Sequence, residues 1–181
     1  MNKANVSVHG AGIDSSYITG PHNSCTATTL LMNADGVLVE VFTITRSGNN
    51  ATDWTSNIKN QGVSMSAPGT GMTLQNCKIT GNRNGIYVGQ SSHANTIRRN
   101  IIDFNRTGVH LVDHHDDLIE ENFITNNWTM GILYRTEGGA APTGLTIRNN
   151  RVTGNWYSEI EFRDPAAGSN LNMSGNYLGS S

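Results

Sequence analysis

Charge is scarce in this chain: Asp, Glu, Lys and Arg make up 14% of its 181 residues and leave a formal charge of −2. So thin and balanced a set of charges excludes a strongly basic nucleic-acid binder and a long acidic tail. Aromatics are few, at 7%. No apolar run approaches the roughly 18 residues that a membrane span needs. The two cysteines, Cys25 and Cys77, are too few for a disulfide framework or a four-cysteine zinc site. Met1-Asn2-Lys3-Ala4 leads into no apolar h-region, so no signal peptide is expected within this chain. That leaves its native location open. The length suits one domain with a sizeable core, spanning residues 1–181, and not two of ordinary size.

Asn and Gly are plentiful instead, with 23 and 20 copies. That excess suits a chain that turns often and in the same way. The turning is periodic. Gly62-Val63-Ser64-Met65 returns as Gly85-Ile86-Tyr87-Val88, Gly108-Val109-His110-Leu111 and Gly131-Ile132-Leu133-Tyr134, each 23 residues after the last. Glu159-Ile160-Glu161-Phe162 follows after 28, the extra residues falling around Glu137–Pro142. A second signature alternates apolar residues with Asn: Ile97, Asn100, Ile102, Asn105; then Ile119, Asn122, Ile124, Asn127; then Ile147, Asn150, Val152, Asn155. Weaker copies occur at Leu74, Cys77, Ile79, Asn82 and at Met173, Asn176, Leu178.

Apolar residues alternate in runs of three to five, which is strand periodicity and too short for helices. A strand unit this small cannot bury a face alone, but parallel winding, rung on rung, buries a continuous core. Asn returning at one place per turn tolerates the left-handed bend, and its amide can bond the Asn above and below. Cys77 fills one such position and reads as a small buried thiol.

On these repeats the chain resembles the right-handed, single-stranded parallel β-helix family, the pectate-lyase-like superfamily of carbohydrate-binding and sugar-hydrolase repeats. The resemblance is clear from Val37 onward and looser over Val6–Gly12 and Tyr17–Gly20, which look like an early irregular coil. It implies an all-β solenoid of about six to seven coils with Asn ladders at its turns. Family members usually begin with a capping α-helix; here strand-like sequence begins by Asn5 with no helix before it. Both ends therefore look cut, as in a module from a longer protein or one that meets a partner end to end.

Stacking converts sequence offset into columns. One outward column is Ser64, Tyr87, His110, Leu133, Glu161; the next is Ser66, Gly89, Val112, Arg135, Arg163, with neighbours about 5 Å apart. A third, just before the same strand, is Arg83, Arg106, Trp128, Trp156. Opposite it, Lys78, Ile101, Phe123 and Arg151 include a small exposed apolar patch, the place to expect a homo-oligomer or a neighbouring domain. Stacked Arg135 and Arg163 repel unless carboxylates (Glu161, Asp164, Glu137) or an anionic ligand lie between them. Trp128 and Trp156 offer flat faces to sugar rings, with Arg106 adding charge for acidic sugars, or else cover a loop or a subunit contact. The turn Asp113-His114-His115-Asp116-Asp117 is the densest polar cluster. It could hold a divalent cation through Asp113, Asp116 and Asp117, with oxygen ligands favouring calcium and the imidazoles favouring zinc or nickel; it could carry acid–base chemistry; or it could be a solvated loop. Asp113-His114-His115 is similar to the Asp-Pro-His element of alginate epimerases, with His114 at the Pro.

Two functions follow. In the first, the resemblance implies an enzyme on an extracellular or cell-surface acidic polysaccharide, with no cofactor required. A lyase or epimerase would use Arg135 or Arg163 on a uronate carboxylate, His110 or His115 as base and Tyr87 as acid. A hydrolase would use Glu161 with Asp113 or Asp116. In the second, the chain is a non-catalytic glycan-binding β-helix of a surface protein, adhesin or phage fibre. Neither involves nucleic acid or a membrane span.

Overall fold

The computed structural model describes residues 1–21, 28–46, 60–89, 91–113, 116–137, 144–163 and 170–179. The excursion around Trp54, together with Cys25, His114, His115 and Asp164, lies outside them. Short strands recur in fixed order around three faces, each a parallel sheet. The first face stacks Ser7–His9, Leu38–Glu40, Thr73–Gln75, Thr96–Arg98, Leu118–Glu120, Thr146–Arg148 and Asn172–Ser174. The second stacks Tyr17–Gly20, Thr43–Arg46, Lys78–Thr80, Ile101–Asp103, Phe123–Thr125, Arg151–Thr153 and Tyr177–Gly179. The third stacks Thr28–Met32, Gln61–Met65, Asn84–Val88, Thr107–Val112, Met130–Arg135 and Ser158–Phe162. This is the parallel β-helix that the repeat predicts. No helix occurs among the described residues, and none is long and apolar enough to cross a membrane. The opening segment is more regular than its sequence suggests: Ser7–His9 and Tyr17–Gly20 pair in register with the next rung.

Alternation within each strand sends one side chain in two to the axis. Ile86, Val88, Val109, Leu111, Ile132 and Tyr134 from the third face meet Ile79, Ile102, Ile124 and Ile147 from the others in one core without solvent exposure. Parallel strands lacking helices on their faces need another source of cohesion at the corners, and Asn supplies it. The backbone N–H groups of Cys77, Asn100, Asn122 and Asn150 donate to Oδ1 of Asn100, Asn122, Asn150 and Asn176 at 2.9–3.0 Å. At the next corner Asn82, Asn105 and Asn127 do the same to Asn105, Asn127 and Asn155 at 3.0–3.1 Å. Each amide nitrogen also reaches a carbonyl of the preceding rung, as Asn122 does to Ile97.

The ladder Asn residues are not themselves left-handed, contrary to expectation. The residue before each of them is: Asn76, Arg99, Glu121 and Asn149 at one corner, Gly81, Phe104, Asn126 and Gly154 at the other, with φ between 50° and 72°. Arg, Glu and Phe each cost roughly 1–2 kcal/mol there, offset by the buried amide bonds that the bend makes possible. Cys77 completes the first ladder as a donor only. It is buried, and burial pushes its thiol up to about 11 against a smaller pull from the Phe42 and Val41 amides.

The outer side of the first face carries a polar column that sequence reasoning missed, His9, Glu40, Gln75, Arg98, Glu120 and Arg148. Gln75 donates to Glu40 and Arg98 to Gln75, while Arg148 pairs with Glu120 at 2.7 Å. The Gln75 hydrogen bond, with lesser help from His9, holds the Glu40 carboxyl below its ordinary value of 4.5. A depressed folded value means the stabilisation is complete above pH 4.5 and disappears as pH falls through the lowered folded value. Water screens the contribution to under about 1 kcal/mol. Urea unfolding at pH 7 should therefore place Glu40→Gln slightly below wild type, and the gap should narrow as pH falls below 4.5. A gap that does not narrow with falling pH would assign the effect to packing.

Candidate functional site

The third face builds the site. Ser64, Tyr87, His110, Leu133 and Glu161 stand opposite one another rung by rung, as the 23-residue repeat requires. Val112 pairs with Arg135 in the neighbouring column. Four positions expected on the surface are not there: Val112 is fully buried, Gly89 is buried, and Ser64 and Leu133 are sunk to 4% exposure, Leu133 as a wall of the groove. The glycines leading into these strands are required by close approach rather than by φ. A Cβ on Gly108 would lie 2.5 Å from the Gly131 carbonyl oxygen and 3.0 Å from the Asn127 amide.

Beside this strand lies a cavity of about 240 Å³ lined by Arg83, Asn84, Arg106, Thr107, His110, Met130, Leu133, Arg135 and Arg163. Four guanidinium groups and an imidazole around so small a volume make it a place for a charged group or a single sugar. It is smaller than the roughly 300 Å³ from which drug-sized pockets begin. Tyr87 stands edge-on to His110, ring centroids 5.4 Å apart at 89°. Burial pushes the Tyr87 phenol up, the charge of Arg135 pulls it down, and Asp113 adds a smaller upward push. Gly89 leaves room for this ring, since a Cβ there would come within 3.2 Å of Tyr87 Cε1.

Of the residues expected in the site, His110, Arg106, Arg135 and Arg163 line the cavity, and Tyr87 touches it through His110. The built-in carboxylates are present too: Glu161 holds Arg163 at 2.6 Å and Glu137 holds Arg135. His115 lies outside the described residues. Asp113 is buried, and its Oδ1 accepts the Glu137 N–H at 2.9 Å. Asp117 is equally buried and acts as a ladder residue, its Oδ1 accepting the Asn95 N–H at 2.8 Å. The Asp116 carboxylate fills the space beside Gly144. These three carboxylates thus have separate surroundings, and no group of three His, Cys, Asp or Glu that could hold a metal ion exists among the described residues.

Trp128 and Trp156 stack on each other, 5.5 Å apart and 8° from parallel. Each spends one face on its neighbour, and neither lines the cavity. Instead of a two-ring platform they offer edges and one free face each, Trp156 being 70% exposed and Trp128 40%. On the second face, Arg151 lies over both Phe123 and Tyr177, 5.8 and 5.0 Å from their centroids, so the expected apolar patch is interleaved with a cation. Sequence reasoning placed Arg83 in a column without assigning it to the site, and passed over Asn84. The signal was available for Arg83, which heads the column of Arg106. Asp117 was legible as well, standing five residues before Asn122 as Asn95 stands before Asn100.

Comparison with known proteins gives three results. The family described as periplasmic copper-binding protein (NosD) matches residues 2–181. No curated protein matches. Among solved structures, a double mutant of the periplasmic alginate epimerase AlgG superposes with a TM-score of 0.72 at 14% identity, over 91% of this chain and 38% of that one. ORF18 of Geobacillus virus E2 gives a TM-score of 0.42 at 13% identity, over 99% of this chain and 50% of that one. The epimerase shares the fold, and this chain spans 38% of its length. With nearly every residue matched, the chain belongs to the NosD family.

Proposed function

From that membership and the groove together, we propose that this chain binds an acidic, uronate-containing polysaccharide on its third face, on the non-cytoplasmic side of the membrane. We further propose that Tyr87 and His110 carry a proton transfer on the bound sugar. The cationic cavity is the observation that carries the reading, because four arginines around one small volume suit an anionic ligand. The shared fold of a periplasmic alginate epimerase and the periplasmic description of the family support it.

The chemistry follows from the pair. His110 removes the proton at C5, and the guanidinium groups of the cavity stabilise the charge that develops on the adjacent carboxylate. In a lyase the C5–H electron pair forms the C4–C5 double bond, the C4–O bond breaks, and Tyr87 protonates the departing oxygen. In an epimerase Tyr87 returns a proton to the opposite face of C5. A hydrolase is less well served, since Glu161 is paired with Arg163 and Asp113 is committed to a backbone amide.

Copper, which the family description names, does not fit the described residues. They bring together no three His, Cys, Asp or Glu ligands. The one thiol among the described residues, Cys77, is buried with its pKa pushed up to about 11, which disfavours the thiolate that a soft metal takes.

Alginate, pectate and hyaluronan oligomers supply the test, with affinity measured by calorimetry and turnover by absorbance near 232 nm and by NMR of the C5 configuration. Wild type should bind at least one of them and convert it. Tyr87→Phe and His110→Ala should lower turnover by about 100-fold or more with little change in affinity. Binding without turnover would leave a glycan-binding module, and no binding to any acidic glycan would overturn the reading.

A further inference from the structure

The four arginines of the cavity are not equivalent. Arg163 and Arg135 carry their own carboxylates, Glu161 and Glu137. Arg83 and Arg106 make no ion pair among the described residues. They belong to successive rungs, the Thr107 N–H donating to the Arg83 carbonyl and the Thr129 N–H to that of Arg106. Their backbones are thus about 4.8 Å apart along the axis. Both are half-buried. Burial pushes the Arg83 guanidinium down, and the charge of Arg106 pushes it further. Two like charges held together out of full solvent weaken the fold on their own account. An anion between them would reverse that, and guanidinium forks match oxyanions in two-point hydrogen bonding.

We infer that Arg83 and Arg106, with the buried amide of Asn84 on the same wall, form an oxyanion subsite that takes the anionic substituent of the bound glycan. It rests on the reading of the groove as a glycan site. Within that reading it moves ligand-charge recognition away from Arg135 and Arg163, whose charge the protein already balances. The shared chemistry is an oxyanion, whether a carboxylate or a sulfate ester.

The test titrates wild type and variants, at low salt, with inorganic sulfate alone and with uronate and sulfated oligosaccharides. Arg83→Gln and Arg106→Gln should each weaken binding at least tenfold, and Arg106→Lys should recover part of the loss. Arg163→Gln, at a residue whose charge Glu161 already balances, should weaken it less than either, and Arg151→Gln on the second face should leave it unchanged. Free of ligand, Arg83→Gln should melt a few degrees higher than wild type, because the repulsion is gone; a purely structural arginine would give a lower Tm. Uronate binding that depends on both arginines supports the inference and the glycan reading alike. Arginine-dependent binding confined to sulfate or sulfated sugars supports the subsite and removes uronate as its source. Uronate binding indifferent to both substitutions overturns the subsite and leaves the glycan reading standing. No binding of any probe overturns both.

Discussion

Asn122→Leu is expected to lower the melting temperature by roughly 10–20 °C. Leucine keeps the branching and heavy-atom count of asparagine, so the lost polar bonds are the main reason. Asn122 Oδ1 accepts the backbone N–H of Asn100 at 3.0 Å and its side-chain amide at 3.1 Å. Its own amide donates to the Ile97 carbonyl and to Asn150 Oδ1, both at 2.9 Å. Leucine strands several buried polar groups at once. Each costs about 1–3 kcal/mol, and with partial compensation the total is about 5 kcal/mol, against a domain stability of about 5–15 kcal/mol. At about 2–4 °C per kcal/mol for a chain of this size, that gives the stated range. Asn176→Leu is the control: Asn176 is only half-buried at the last described rung, and its loss should cost less than half as much. Equal effects at both positions, or a fall below 3 °C at Asn122, would show that the ladder does not hold the rungs together.

Gly108→Ala comes second, at about 3 kcal/mol and a fall of roughly 6–12 °C. The added methyl would lie 2.5 Å from the Gly131 carbonyl oxygen and 3.0 Å from Ile124 Cγ2. The oxygen belongs to the next rung's backbone, which cannot retreat without lengthening the inter-rung bonds of Thr107–Val112 and Met130–Arg135. Gly71→Ala separates this cause from backbone conformation. That residue has φ of 62° with nothing within 4 Å of the added carbon, so it should show only the 1–2 kcal/mol of left-handed strain. Thermal melts of the two variants rank the two mechanisms, and a milder Gly108→Ala would mean that the rungs yield.

The same two corners show how far a repeat can be read. Gly62, Gly85, Gly108 and Gly131 recur because the Asn of the neighbouring corner and the next rung's carbonyl leave no room for a Cβ at those positions. The spacing is visible in the sequence, while the crowding that causes it is not. Asn100, Asn122 and Asn150 were legible as a ladder, yet the left-handed residue proved to be the one before each of them. Arg99, Glu121 and Phe104 carry no propensity signal for that conformation. Their backbone is set by the bend, not by their own preference.

By itself the sequence determined which residues are neighbours. A rung repeats by translation along one axis, so an offset of 22–28 residues places Tyr87 beside His110, Trp128 beside Trp156 and Arg83 beside Arg106 whatever the side chains do afterwards. Tertiary structure alone decided what those neighbours do with each other: that the two indoles close on themselves, that Glu137 and Glu161 balance Arg135 and Arg163, and that Arg83 and Arg106 have no such carboxylate among the described residues. Side-chain direction, unlike strand register, depends on competition among all the groups within reach. That competition is settled only when three faces and their corners are present together.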